Sequence, residues 1–166
     1  MPLNIIPRKT WGAIPARKSI PMEHPIMLIA FSIIDPTDIF DMEILKRVQR
    51  LHMDSHDHDD IDCSFVIGQD GTVYEGRGWF CQPEKREVEG GNYLDIGFIG
   101  DVKGKSIEEH PPLIALTKLL DFASEKRFLD EHYLLISENK DGDCNEDDDN
   151  SPDMFMNEFE EIPSPE

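Results

Sequence analysis

Two short apolar runs separated by four residues constrain this chain more than any other feature. Cys63-Ser64-Phe65-Val66-Ile67 and Thr72-Val73-Tyr74-Glu75 flank Gly68-Gln69-Asp70-Gly71. Asp-Gly between two such runs predicts a β-hairpin whose two central turn residues both take positive φ. The remaining elements can be placed around it. Ile26 to Ser32 is an apolar run of strand length and fits a buried central strand. Asp35-Pro36-Thr37-Asp38 supplies turn and N-cap chemistry. A helix is expected from there to about Met53, with Ile44, Leu45, Val48, Leu51 and His52 recurring at helical spacing. Leu94 to Gly100 reads as another strand ending in glycine. Leu113 to Phe122 places Leu113, Leu116, Leu119 and Leu120 on one helical face, and a last strand follows near Tyr133 to Ile136. Residues 5–21 carry proline and glycine punctuation without a sustained period, and are expected to form an ordered surface segment pinned by Trp11. The order β-α-β-β-β-α-β defines an α/β fold with a central mixed sheet flanked by helices. No internal repeat is present.

Charge divides the chain. The 166 residues carry 35 acidic and 16 basic side chains, a net of −19. Residues 1–137 hold 23 acids and 15 bases, and residues 138–166 hold 12 acids and the single base Lys140. The last 29 residues, with the run Glu146-Asp147-Asp148-Asp149 and three prolines, cannot bury enough apolar surface to offset the entropy of ordering. We therefore expect a folded domain over 1–137 and an acidic, disordered tail over 138–166. The absence of a Lys/Arg cluster argues against nucleic acid and against anionic lipid surfaces. The longest nearly uncharged apolar run, Pro25 to Ile34, is about half the ~20 residues that a membrane-spanning helix needs. The start Met1-Pro2-Leu3-Asn4 does not read as a signal peptide. An intracellular form and an excised ectodomain of a membrane receptor both agree with these features.

Cys63, Cys81 and Cys144 are an odd number with no CxxC spacing, so neither a disulfide framework nor a zinc-finger pattern follows. Free thiols, with Cys63 buried in a strand, are the simpler reading; a Cys63–Cys81 bridge stays open. The run His52-Met53-Asp54-Ser55-His56-Asp57-His58-Asp59-Asp60 has ligand-type side chains, with His52 and His56 at i, i+4. It reads instead as a solvated helix-to-strand connection, in which Asp and His are ordinary turn residues.

The stretches IPRKTWGAIPARKSIP, VQRLHM, DIDCSFVIGQDGTVYEGRGW and IGFIGD, in this order and spacing, resemble the peptidoglycan recognition protein family. Its members have the type-2 amidase fold of zinc-dependent N-acetylmuramoyl-L-alanine amidases. The resemblance covers roughly residues 5–137. Its most specific part is the hairpin followed by Tyr74-Glu75-Gly76-Arg77-Gly78-Trp79. The resemblance implies a mixed sheet flanked by helices, with a groove for a glycan-peptide ligand. Active members hold zinc with two His and one Cys, leaving a position for a water whose pKa the metal lowers. A tyrosine near the metal helps stabilise the oxyanion.

Position by position, that equipment is missing. Ala30-Phe31-Ser32 stands where the first zinc His is expected, Cys63 at the tyrosine, and Leu135-Ile136-Ser137 at the second zinc His. Cys144 falls near the position of the zinc Cys, without its Pro-Gly context. The resemblance therefore implies no catalytic residue, no metal site, no cofactor and no amidase activity. The family Trp before its Asp-Ile-Gly-Tyr segment aligns with His58. Groove positions by resemblance are Phe31, His58, Cys63, Arg77, Gly78 and Trp79. Arg77 and Trp79 read equally as structural residues, with Gly76 and Gly78 permitting close backbone approach. The expected role is a non-catalytic recognition or regulatory module in innate immunity. The alternative is a pseudo-enzyme that binds no peptidoglycan and pairs with other recognition or immune signalling proteins; an active zinc amidase is the least favoured. The corresponding partners are bacterial peptidoglycan fragments, another peptidoglycan recognition protein, or a signalling protein.

Overall fold

Six strands form one mixed sheet. The computed structural model describes residues 3–36, 39–84 and 92–137. In chain order the elements are β1 (Ile5–Ile6), α1 (Arg8–Trp11), β2 (Ile26–Ile34), α2 (Asp41–Arg50) running into a π-helical turn (Leu51–Ser55), β3 (Phe65–Ile67), β4 (Val73–Glu75), β5 (Leu94–Ile99), α3 (Pro111–Glu125) and β6 (Leu129–Ser137). The sheet order is β1-β4-β3-β5-β2-β6. The hairpin β3–β4 is antiparallel and every other neighbouring pair is parallel. The mixed sheet flanked by helices is therefore present. The reading of 138–166 as a tail lies outside the described residues.

The apolar patterning explains the layers. β2 is paired on both edges, to β5 and β6, and its centre, Ile29 to Ser32, is buried. On one face Ile29, Phe31, Phe65, Ile96 and Phe98 meet Leu113, Leu116, Leu119 and Leu120 of α3. On the other, Cys63, Val66, Tyr74 and Ile99 meet Trp11 of α1 and Ile44 and Leu45 of α2. Alternation along β2 decides which side chain goes where: Phe31 joins the α3 side, while Ala30 and Ser32 point the other way.

Three local expectations are corrected. The hairpin turn uses positive φ only at Gly71 (88°); among the described residues the non-glycine positions with positive φ are Asp57 and Arg127. The Gly68 amide donates to Thr72 O at 2.8 Å, and the Gly71 amide to Gly68 O at 3.0 Å. The loop is thus three residues, a turn closed by one left-handed glycine rather than two. Asp70 serves through its side chain, accepting from the Thr72 amide at 2.9 Å. A Cβ on Gly71 would also lie 2.9 Å from Pro111 O, at the start of α3.

Helix α2 begins at Asp41, after Phe40 and without a side-chain cap; Thr37 and Asp38 lie outside the described residues. Its ends are charged to suit the dipole, with Asp41 and Glu43 in the first turn and Arg47 and Arg50 in the last. Residues 5–21 contain a strand and a helical turn that no period announced. They are held by the fully buried Trp11, whose Nε1 donates to Glu75 O at 2.7 Å. Among the described residues, no helix is long and apolar enough to cross a membrane.

Candidate functional site

Two of the stretches where the resemblance expects zinc ligands lie side by side on the paired strands β2 and β6. Ala30 is in register with Asp95 on β5 and with Ile136 on β6. Next to them the Cys63 thiol lies 3.8 Å from Ser32 Oγ, and that hydroxyl is 3.5 Å from Asp95 Oδ1. The Asp95 amide donates to Ser64 Oγ at 3.0 Å, and the Ser64 amide to Asp95 O at 2.8 Å. All four polar residues are buried. Gly97 leaves room for the thiol, since a Cβ there would stand 2.8 Å from Cys63 Sγ. Ala30-Phe31 offers no metal-binding side chain and Leu135-Ile136-Ser137 no imidazole, so these residues do not fit a zinc ion that needs two histidines and a cysteine. Cys63 precedes β3 rather than lying within a strand, and no disulfide joins it to Cys81. Cys144 lies outside the described residues.

The six groove residues are not brought together on one surface. Phe31 is 2% exposed and stacks on Phe98 at 6.0 Å between ring centres, on the α3 side of the sheet. Cys63 is buried on the opposite side. Trp79 packs on Phe65 at 4.5 Å and Phe128 at 5.5 Å, against the α3-side core. Gly78 is buried at φ 80°, with its amide on Ser64 O. The Arg77 guanidinium spans a chain crossing, donating to Ile61 O at 2.7 Å, Gln82 O at 3.2 Å and Glu84 Oε2 at 3.1 Å. Its donors point into the protein, as a structural arginine's would.

His58 belongs to a different constellation, on a connection whose residues Asp54 to Asp57 are exposed as expected, while His52 and His58 are partly buried. The π-helical turn folds the histidine run back on itself. The rings of His52, His56 and His58 form a triangle with sides of 5.5–6.1 Å. At its edge lies Asp62, with a side chain only 11% exposed. Its Oδ1 sits 2.6 Å from His58 Nδ1 and 3.5 Å from His52 Nδ1. The Asp62 amide donates to His52 Nδ1 at 3.0 Å. Glu84 closes the group, with Oε1 3.9 Å from His58 Nε2. Asp62 and Glu84 were missed in the sequence. Asp62 ends the histidine run at i+4 from His58, a spacing that could have found it, whereas Glu84 arrives from the chain after β4. In the resemblance Asp62 falls where the Asp-Ile-Gly-Tyr segment has its glycine.

Comparison with known proteins fixes the family. No family model matches the chain. It is 34% identical over 143 residues to peptidoglycan-recognition protein 3 of Holotrichia diomphalia, covering 80% of this chain and 73% of that protein. It is 40% identical over 82 residues to the N-acetylmuramoyl-L-alanine amidase of Sus scrofa, a match of 45% of this chain and 14% of that enzyme. The structure superimposes on Drosophila peptidoglycan recognition protein SA with a TM-score of 0.73 at 28% identity, covering 82% and 80% of the two chains. It matches a chain of the complex of tracheal cytotoxin with the ectodomains of peptidoglycan recognition proteins LCa and LCx, with a TM-score of 0.70, 29% identity and 80% and 82% coverage. The chain belongs to the peptidoglycan recognition protein family, whose fold is that of the type-2 amidases.

Proposed function

We propose that this chain is a peptidoglycan recognition module of innate immunity that has given up hydrolysis. The observation that carries the reading is the donor set at the amidase position. Ala30-Phe31-Ser32, Leu135-Ile136-Ser137 and Cys63 stand where two histidines and a tyrosine would be needed, and Ala30, Phe31, Ser32 and Cys63 are buried. Relatives that recognise peptidoglycan support the ligand class. The tracheal cytotoxin complex, formed by two recognition proteins, supports pairing within the family. Titration calorimetry of the full chain with muramyl peptides tests the binding half, with a saturable isotherm expected.

A second reading is favoured by one observation. Phe31 and Cys63 are buried and Arg77 is spent on internal carbonyls, so these three groove positions offer a ligand almost no surface. On that reading the module acts through another recognition or signalling protein. A flat isotherm with muramyl peptides, together with co-elution with a family partner in size-exclusion chromatography, would select it. Localisation, in a cell or as an ectodomain, follows from whichever partner is engaged.

A further inference from the structure

We propose that His58, Glu84 and His56 form a binding site for a divalent transition metal, zinc by donor chemistry, with Asp62 as the residue that orients His58. The site is separate from the amidase position and independent of the functional reading above. It rests on three observations.

The first is the tautomer of His58. Its Nδ1 lies 2.6 Å from Asp62 Oδ1, and a carboxylate oxygen only accepts, so Nδ1 carries the proton. The lone pair of the neutral ring is then on Nε2. A carboxylate on one ring nitrogen and a metal on the other is the usual arrangement of a ligating histidine, and it raises the ligand's basicity.

The second is the gap that Nε2 faces. Glu84 Oε1 is 3.9 Å away. Zinc sits ~2.0–2.2 Å from imidazole nitrogen and carboxylate oxygen, so two ligands on one ion stand roughly 3.3 Å apart at the tetrahedral angle and about 4.1 Å apart when opposed. The gap fits an ion without backbone movement. Arg77 holds the other oxygen of Glu84 at 3.1 Å, which leaves Oε1 turned to the histidine.

The third is the third ligand. The exposed His56 ring is 5.5 Å from the His58 ring, centre to centre. Two imidazoles on one zinc place their centres roughly 5 Å apart, a distance that a side-chain adjustment of His56 supplies. His52 is excluded as a ligand in this arrangement, because its Nδ1 already accepts from the Asp62 amide.

Charge also favours a cation. Among the described residues, Arg8 pairs with Asp60 and Arg17 with Asp54 and Asp57, Arg77 is the arginine paired with Glu84, and Asp62 pairs with histidines. Imidazole donors select zinc and its neighbours over calcium or magnesium. A bound ion would tie the π-helical turn to the segment after β4.

The test is zinc titration of the metal-free full chain by calorimetry and thermal unfolding, in wild type and in His58→Gln, Glu84→Gln and His56→Ala. One ion per chain and a raised Tm are expected. Each variant should weaken zinc by roughly tenfold or more. His56→Ala alters an exposed side chain and keeps the comparison clean if either of the others unfolds. Isotherms of all folded variants that superimpose on wild type, the acidic C-terminal residues then being the binders, would overturn the proposal. So would the absence of any zinc binding.

Discussion

Ala30 and Ile136 are register partners on adjacent parallel strands, β2 and β6. In an amidase of this fold, neighbouring strand ends have to deliver imidazoles to one ion. Here Ala30-Phe31-Ser32 and Leu135-Ile136-Ser137 occupy those strand ends with no histidine, and the Cys63 thiol sits among Ser32, Asp95 and Gly97. The scaffold that brings these positions together is retained, and the proposed loss of hydrolysis rests on the residues that occupy them. A recognition role needs only the scaffold and a surface.

The scaffold depends on a buried carboxylate that joins distant segments, paired with a partly exposed arginine. Asp60 is held by Arg8 at 2.8 Å, by Gln49 Nε2 at 2.8 Å and by the Ile61 amide at 2.7 Å, and is almost wholly buried. Asp60→Ala strips all three donors of their acceptor at once. A loss of about 3–5 kcal/mol is expected from removing one member of a buried pair. Urea unfolding of the variant against wild type measures it; a loss below about 1 kcal/mol, the size of an exposed pair, would refute this assignment.

Trp11 tests the N-terminal segment in the same way. Trp11→Ala should cost about 3–5 kcal/mol, the usual range for emptying a large aromatic site. Trp11→Phe keeps most of the apolar contact but orphans the Glu75 carbonyl, and should cost about 1–3 kcal/mol. Equal losses for the two would mean that packing contributes little and the hydrogen bond nearly everything.

Tyr74 makes stability sensitive to alkali. Burial first, and then the negative charge of Asp41, push its phenol up to about 12. Its hydroxyl donates to Asp41 Oδ2 at 3.4 Å. Between about pH 10 and 12 the unfolded chain loses this proton while the folded chain keeps it, so stability falls as pH rises through that window. Burial raises Tyr133 as well, with the same sign. Denaturation midpoints measured across this range should decline less steeply in Tyr74→Phe. Parallel curves would show that Tyr74 titrates normally.

Much of this fold was legible because its patterns are local. The hairpin at Gly68–Gly71 and the leucine face of α3 each lie within one window of sequence, and the structure follows both. The turn geometry was misjudged because Asp70 can serve a turn through its carboxylate without taking positive φ. β1 and α1 were illegible for a different reason. Elements of two and four residues have no period, and they exist because Arg8 reaches Gly76 O at 2.6 Å and Trp11 reaches Glu75 O. The groove residues lie apart because resemblance orders positions along the chain, whereas alternation along β2 sends Phe31 to the α3 side and Cys63, ahead of β3, is buried on the other. The histidine connection is exposed from Asp54 to Asp57 as its composition suggested, but nothing near it in sequence announces Glu84 or the π-helical turn that brings His58 towards it.

Recognition without cleavage is the central claim, and mass spectrometry of a muramyl pentapeptide incubated with the zinc-supplemented full chain tests it most directly. The substrate is expected to be recovered intact at every zinc concentration. Zinc-dependent appearance of the free stem peptide, from scission of the lactyl-alanine amide, would contradict it.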